Sequence, residues 1–476
     1  MSDPTLLLVG GTDETLVTAA DLGIRVLLLQ HPSKITDVQR DAAHQVQVLD
    51  FVDWQHVAPA AANWWRQVGF DAVLSLTEPG LENAGRLNDL YRTGGTGYQV
   101  AHRFRDKQAM RAHLADDPRL AVRSRTVTTR ADLWACPDAL GYPFIVKPSD
   151  GTASLGVRIV HSPDDLEDAW QHIRRLRGSR TDRVSTLFVL GDFVAEEYLP
   201  GPEYSVEAFS FAGRHVVVSV TEKLCSPGSF TELGHLVPGR IAAAQRAEVT
   251  ATVQDFLTAM GLRDGVSHTE VKVGPSGVRV VEGHNRPAGD AIPSLVRAAY
   301  DVDLIRLSLA WPFGLAPALA ESPRPRGGAC TRFLVGEPGR VARICGSGDL
   351  GAEPGVITWQ LTTEEGATVR PLADNWDRLG LLAVRAGTAS AAYRQAADVL
   401  SRNLRVEIVT SEGRLSHARL AEPAIGTDLL GRALDGSWPL GDSGPDSSPA
   451  QRLAAREVVS LTPHPESTRS ILEQVS

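Results

Sequence analysis

Only five lysines stand in this chain of 476 residues, Lys34, Lys107, Lys147, Lys223 and Lys272, against 43 arginines. A solvated surface cation is readily exchanged for Arg, whereas a site that needs a compact point charge resists the exchange. The surviving lysines are therefore the first candidates for chemistry. Lys147 opens the run Lys147-Pro-Ser-Asp-Gly-Thr-Ala-Ser-Leu-Gly156. Its Ser, Thr and Gly residues make a pliable segment whose N–H groups can fold over phosphates, although plain hairpin loops share that composition. The pattern G-x-x-x-x-G-K-[ST] of a P-loop does not occur. A second cluster, Ala195-Glu-Glu-Tyr-Leu-Pro-Gly-Pro-Glu203, is rich in carboxylates and by itself also fits a solvated acidic turn. In the third, Glu270 and Lys272 share one face of a strand by the period of two, as do Glu282 and His284 beyond the turn Gly274-Pro-Ser-Gly277. Carboxylates opposed across a sheet repel unless a cation lies between them. Oxygen donors without cysteine suit Mg²⁺, which combines carboxylates with phosphate oxygens.

Regular elements must hold these side chains in place. Residues 1–100 alternate apolar strands, at 5–9, 24–29, 46–49 and 72–76, with amphipathic helices such as 54–68. That is the rhythm of an open parallel sheet covered on both faces, so an α/β class is expected. Gly10-Gly11 ends the first strand, but Thr-Asp-Glu-Thr follows in place of the rest of G-x-G-x-x-G. Acidic residues there repel a pyrophosphate, and NAD binding is not expected. Glu78 follows a parallel strand, where open α/β sheets bind ligands; an exposed loop carboxylate would read the same. From residue 101 the spacing predicts a basic helix over 103–115, and strands at 144–147, 157–160, 193–196, 204–211 and 215–221. A helix at 245–260 and a hairpin of 267–273 with 278–282 follow. Ser322-Pro-Arg-Pro-Arg-Gly-Gly328 reads as a linker, with short strands and a helix at 389–403 beyond it. Residues 413–476 read as a partly disordered tail with at most one helix.

Taken in order, Asp106-Lys107, Val146-Lys147-Pro148, the Ser/Gly loop, Glu196 to Glu203, Glu270 and Glu282-x-His284-x-Arg286-Pro287 resemble the ATP-grasp superfamily over residues 1–410. The resemblance implies a Rossmann-like pre-ATP-grasp domain at 1–100 and an α+β ATP-grasp domain at 101–320, with a mobile lid subdomain at 122–195. A small C-terminal α+β domain at 321–412, similar to that of biotin carboxylase-like members, completes it. It also implies ATP, two Mg²⁺ ions for which Mn²⁺ can substitute, and ligation of a carboxylate through an acyl phosphate.

Carried onto single residues, Lys107 and Lys147 match the lysines that hold the α- and β-phosphates. The run from Ser149 through Gly151, Thr152 and Ser154 to Gly156 matches the loop that closes over the γ-phosphate. Glu196 matches the residue reading the adenine amino group, with Glu197, Tyr198 and Leu199 beside it, and Glu203 matches the ribose-binding carboxylate. Glu270 and Glu282 match the metal ligands. Many relatives carry Asn two positions after the second glutamate, where this chain has His284 followed by Asn285, so the third ligand stays open between these two. Arg286 matches the arginine that steadies the transferred phosphoryl group. The segments around Lys223 and from Phe230 to Pro238 resemble the substrate-facing region of the L-amino acid ligases (dipeptide synthetases). Glu232 and His235 would there contact the substrate amino group and the reacting phosphate; a surface loop with a buried histidine is the plainer reading. A desolvated ammonium needs a carboxylate partner, which favours Glu232.

The implied activity is an ATP-dependent carboxylate–amine ligase acting on small molecules, amino acids above all, and releasing ADP and phosphate. The alternatives are a carboxylase or formate-using enzyme of the purine-pathway type, although no biotin-attachment Met-Lys-Met occurs, or a non-catalytic ATP-binding sensor. A homodimer is implied by analogy alone. The net charge of −9 disfavours nucleic acid and anionic membranes as partners. No run of about 18 apolar residues could span a membrane; 304–320 comes nearest and is broken by Arg306, Pro312 and Pro317. The acidic N-terminus does not read as a signal peptide. Four cysteines without C-x-x-C spacing read as reduced thiols of a cytoplasmic protein.

Overall fold

In the computed structural model, residues 3–179, 187, 189–226, 230–346 and 350–422 are described. The runs Leu6 to Val9 and Val26 to Leu29 are wholly apolar because both faces of their sheet are covered. They lie in a parallel four-stranded sheet of order Gln45–Val48, Arg25–Gln30, Thr5–Val9, Ala72–Leu74. Parallel pairing brings the C-terminal ends of these strands to one edge, and the short helical turn Glu78–Gly80 starts just beyond the last of them. A second sheet, Ser124–Val127, Phe193–Glu197, Phe144–Pro148, Arg158–Val160, is antiparallel and backed by the helix Leu166–Leu176.

The largest sheet is antiparallel. Its order is Gly277–His284, Gly265–Gly274, Glu203–Phe211, Arg214–Cys225, Glu232–Val237, Gly328–Val335, Gly380–Ala386, Val356–Leu361. Alternation divides its first strands into two chemistries. Tyr204, Val206, Val271, Val273, Val278 and Val280 pack on the helix Ala243–Met260 through Val249, Val253 and Phe256. The intervening Glu203, Ser205, Glu207, His268, Glu270 and Lys272 fall on the opposite face, and a register shift that skips Val281 brings Glu282 and His284 there too, although they share the parity of Val278 and Val280. A further sheet, Thr368–Val369, Gly339–Gly346, Leu404–Thr410, Leu415–His417, packs with the helix Ala389–Asn403.

Three expectations change. The helix expected over 103–115 is two, Tyr98–Arg105 and Lys107–Leu114. Asp106 leaves the helical region and its carboxylate accepts from Ala109 N at 2.8 Å, a cap that starts a new helix at Lys107. The segment 322–328 does not separate two independent sheets, because Gly328–Val335 pairs directly with Glu232–Val237. The tail does not start at 413, since Leu415–His417 and Arg419–Leu420 complete two sheets; residues 423–476 lie outside the described residues. No helix among the described residues is long and apolar enough to cross a membrane.

The join at Gly328 has no room for a side chain. A Cβ there would lie 1.9 Å from Ala389 N and 2.2 Å from Thr388 C, both backbone atoms, whereas one on Gly387 would meet nothing within 4 Å. Gly328→Ala is therefore expected to lower stability by about 1–3 kcal/mol and Gly387→Ala to leave it unchanged, as read from urea unfolding midpoints of the two variants.

Candidate active site

A cleft lies between the antiparallel sheet of Phe144–Pro148 and the polar face of the large sheet. From the first sheet Lys147, Gly151, Thr152, Ser154, Glu196, Glu197, Tyr198 and Leu199 line it. Lys107 enters from its helix, and Glu203, Lys223, Glu270 and Glu282 from the large sheet. Ser149, Gly156, Glu232, His235, His284, Asn285 and Arg286 lie outside that lining.

The two lysines are buried and paired. Lys147 Nζ is 2.8 Å from Glu196 Oε2, and Lys107 Nζ is 2.8 Å from both Glu282 Oε2 and the Gly151 carbonyl oxygen. Glu196 is not a free carboxylate. Arg111 Nε and Nη2 donate to its two oxygens at 2.9 and 3.0 Å, and the same guanidinium donates to Val280 O and Val281 O on the adjoining strand. Burial opposes ionisation of Glu196, but Arg111 and Lys147 outweigh it and hold its pKa at about 2. Burial depresses the Lys147 pKa, which the Glu196 charge partly offsets. Arg111 was missed in the sequence because 43 arginines hide one functional guanidinium.

The loop after Lys147 is held at both ends. Ser149 O accepts from Lys107 N at 2.9 Å, and Ser149 N donates to Asp192 O. Ala153 and Ser154 both take left-handed backbone, with φ of 58°. Ser154 Oγ donates to Phe230 O at 3.2 Å, and Asn375 N donates to Ala153 O at 3.4 Å. At the far end Gly156 O lies 3.2 Å from His172 Nε2.

Glu270 and Glu282 are direct cross-strand partners, and one step away so are His268 and His284, whose rings stack with centroids 5.8 Å apart. Lys223 Nζ stands among Glu203 (2.6 Å), Glu270 (2.7 Å) and Glu232 (2.9 Å). Burial alone would depress its pKa; those three carboxylates raise it well above the usual lysine range. Burial works against the Glu270 charge too, yet Lys223 and His268 hold its pKa at about 2. Glu282 is held well below the carboxylate range by Lys107 and His284 against the same burial cost. Asn285 Oδ1 is buried and accepts no hydrogen bond. A buried amide oxygen without a donor is costly, and a hard cation is one group that would satisfy it. The donor set thus fits Mg²⁺.

Glu78 is not the exposed loop carboxylate that its position allowed. It is 7% exposed and meets Arg286 Nε in a short ion pair, with His284 Nδ1 at 3.2 Å and Arg105 Nε at 3.8 Å. Burial opposes its ionisation, but these cations keep the carboxyl well below the usual range. The first domain thus reaches Arg286.

The segment of Glu232 and His235 is a strand inside the large sheet rather than a surface loop. His235 is fully buried, with Nε2 at 3.3 Å from Glu232 and 3.4 Å from Asp290. Arg378 donates to both Asp290 oxygens at 2.9 Å and lies 3.7 Å above the Phe333 ring. Asn375 Oδ1 accepts from Glu232 N at 2.9 Å. Donor atoms of Glu232, His235 and Asp290 lie within 4.8 Å of one another, but Lys223 and Arg378 already balance these carboxylates, so a second metal is not needed. Despite burial, the two carboxylates raise the His235 pKa. Asp290, Asn375 and Arg378 were not legible as site residues, because their segment is joined to Glu232 only by the sheet.

Residues 140–294 match the ATP-grasp domain family, and residues 332–409 match the L-amino acid ligase C-terminal domain 2. The chain is 27% identical over 322 residues to an uncharacterised protein of Sinorhizobium fredii, covering 67% of this chain and 65% of the other. It is 25% identical over 256 residues to alanine–anticapsin ligase of Bacillus subtilis, covering 51% and 53% of the two chains. The matched region thus spans between half and two thirds of these relatives' own length. In structure it is similar to an L-amino acid ligase from Bacillus licheniformis, with a TM-score of 0.71 at 20% identity over 85% of this chain and 99% of the other. Residues 140–294 are an ATP-grasp domain and residues 332–409 an L-amino acid ligase C-terminal domain 2.

Proposed function

We propose that this protein is an ATP-dependent ligase joining a carboxylate to an amine, with amino acids as substrates, through an acyl phosphate and with release of ADP and phosphate. The observation that carries the reading is the cleft in which Lys107, Lys147, Glu270 and Glu282 converge. The related alanine–anticapsin ligase, whose name gives alanine as a substrate, supports amino acids as the substrate class.

On this reading Lys107 and Lys147 bind the nucleotide phosphates, and Lys107 leaves Glu282 to do so. Tyr198 and Leu199 border the base, Glu203 the ribose, and the loop from Ser149 to Gly156 covers the γ-phosphate. Glu270 and Glu282 would hold Mg²⁺, with the third ligand open between Asn285 and His284, since Asn285 Oδ1 and His284 Nδ1 are both buried without a hydrogen-bond partner. The bound metal supplies a Lewis acid that polarises the phosphoryl oxygens. A carboxylate oxygen of the acid attacks the γ-phosphorus and the bond to ADP breaks. Two anions must approach, so the cations Lys107, Lys147 and Arg286 decide the rate by position more than by covalent chemistry. The amine nitrogen then attacks the acyl carbon, the carbon–oxygen bond to phosphate breaks, and the ammonium proton passes to the pair of Glu232 and His235. A closed loop matters in both steps, because water would hydrolyse the acyl phosphate.

Phosphate and ADP should appear only when an acid and an amine are supplied together from an amino acid panel, with an amide detected by mass spectrometry. Release of AMP and pyrophosphate would overturn the acyl-phosphate route, and tight ATP binding without turnover would favour a sensor. Glu282→Gln should lower kcat by about 10²-fold or more while circular dichroism and thermal unfolding remain those of the wild type. Glu232→Gln should raise KM for the amine by about 10–100-fold, the worth of a charge-assisted hydrogen bond, with KM for ATP little changed. Equal effects on both substrates would place Glu232 elsewhere.

A further inference from the structure

Behind each glutamate of the proposed metal site stands a histidine. His268 Nε2 is hydrogen-bonded to Glu270 Oε1 at 3.3 Å, and its Nδ1 to Glu207 Oε2 at 2.9 Å. The chain continues outward: Glu207 Oε1 accepts from Ser205 Oγ at 2.6 Å and Thr221 Oγ1 at 3.3 Å. On the partner strand His284 Nε2 lies 3.3 Å from Glu282 Oε1 and its Nδ1 3.2 Å from Glu78 Oε2, close contacts without hydrogen-bond geometry, while Glu78 is held by Arg286. The two histidines are cross-strand partners with rings tilted by 22°, so two runs of carboxylate, imidazole and carboxylate lie side by side.

A ring held between two carboxylates can fix the oxygen it meets without itself binding the metal. We propose that His268 and His284 are positioning residues. His268 pins one oxygen of Glu270 from behind and Glu207 sets its ring, while His284 packs against Glu282 and Glu78 at contact distance. Glu270 and Glu282 each have several torsions to lose on binding a metal, and they oppose one another across the hairpin. Orienting them before the metal arrives removes that entropy from the binding step. It also puts a ring nitrogen beside each charge, so the carboxylates can stay buried and ionised while the site is empty. The stacked pair works as a unit because the register that aligns Glu270 with Glu282 aligns His268 with His284.

This inference rests on Glu270 and Glu282 as metal ligands, and the test separates the two claims. Mn²⁺ binding to the whole protein at saturating ADP is titrated by electron paramagnetic resonance, with thermal unfolding as the check on folding. His268→Asn places an amide nitrogen near the former Nδ1 and none near Nε2; His268→Gln places one near Nε2. The Mn²⁺ Kd should rise by about 10–100-fold in His268→Asn and stay close to the wild-type value in His268→Gln. A purely packing role for the ring would weaken both alike and overturn the proposal. If Glu270→Gln loses Mn²⁺ while both His268 variants bind as the wild type does, the positioning role fails and the metal site stands. If Glu270→Gln binds Mn²⁺ as well as the wild type, the metal site fails and the proposal with it.

Discussion

Lys223 is the charge on which the site depends. It stands on the strand Arg214–Cys225 and reaches Glu203 on one neighbouring strand, Glu232 on the other, and Glu270 one strand further. Without a cation there, three buried carboxylates would face one another in a low-dielectric environment, and removing one partner of such a group costs several kcal/mol. A lysine serves where an arginine would not, because a compact ammonium can approach three oxygens from three directions. That explains why Lys223 resists the drift toward arginine that has emptied the rest of the surface of lysine. It also ties the groups proposed for ribose, metal and amine into a single electrostatic unit.

The same logic extends across the polar face. Several further carboxylates have a cation of their own: Arg111 and Lys147 for Glu196, Lys107 for Glu282, Arg378 for Asp290, and Arg286 for Glu78. These cations come from distant parts of the chain, so the ion pairs also join separate sheets. Glu78 links the parallel sheet to Arg286, and Arg378 with Asn375 links the C-terminal part to the strand of Glu232 and His235. Asn375 also meets Ala153 in the loop beside the cleft. A shift of the C-terminal part would therefore be felt at both ends of the proposed reaction.

Local pattern made much of this legible. The parallel strands, the hairpin of Glu270 and Glu282, and the helix Ala389–Asn403 follow from periodicity and turn residues, which act between near neighbours in sequence. Strand Glu232–Val237 did not read as one, since Glu-Leu-Gly-His-Leu-Val mixes polar and apolar residues on both faces; burial between two other strands overrides its weak propensity. Arg111, Asp290 and Arg378 were hidden for a different reason. Their partners lie far along the chain, and a single arginine among many carries no spacing signal. The break at Asp106 was missed because amphipathic periodicity runs through it, whereas the cap that ends it depends on one side chain.

The first strands of the large sheet show why the carboxylates could gather at all. One face is a continuous apolar surface against the helix Ala243–Met260, and that burial supplies the stability that a polar face alone could not. The other face is then free to carry groups that cost stability, provided each is paired. A period of two in sequence thus separates the part of the strand that folds the protein from the part that binds its ligands. On Glu203–Phe211 the two roles alternate residue by residue, with Tyr204 and Val206 in the core and Glu203, Ser205 and Glu207 turned to the site. A one-residue slip in register would exchange the two sets and lose both at once. Fold and site therefore depend on the same pairing, and the buried ion pairs that span the strands work against the slip.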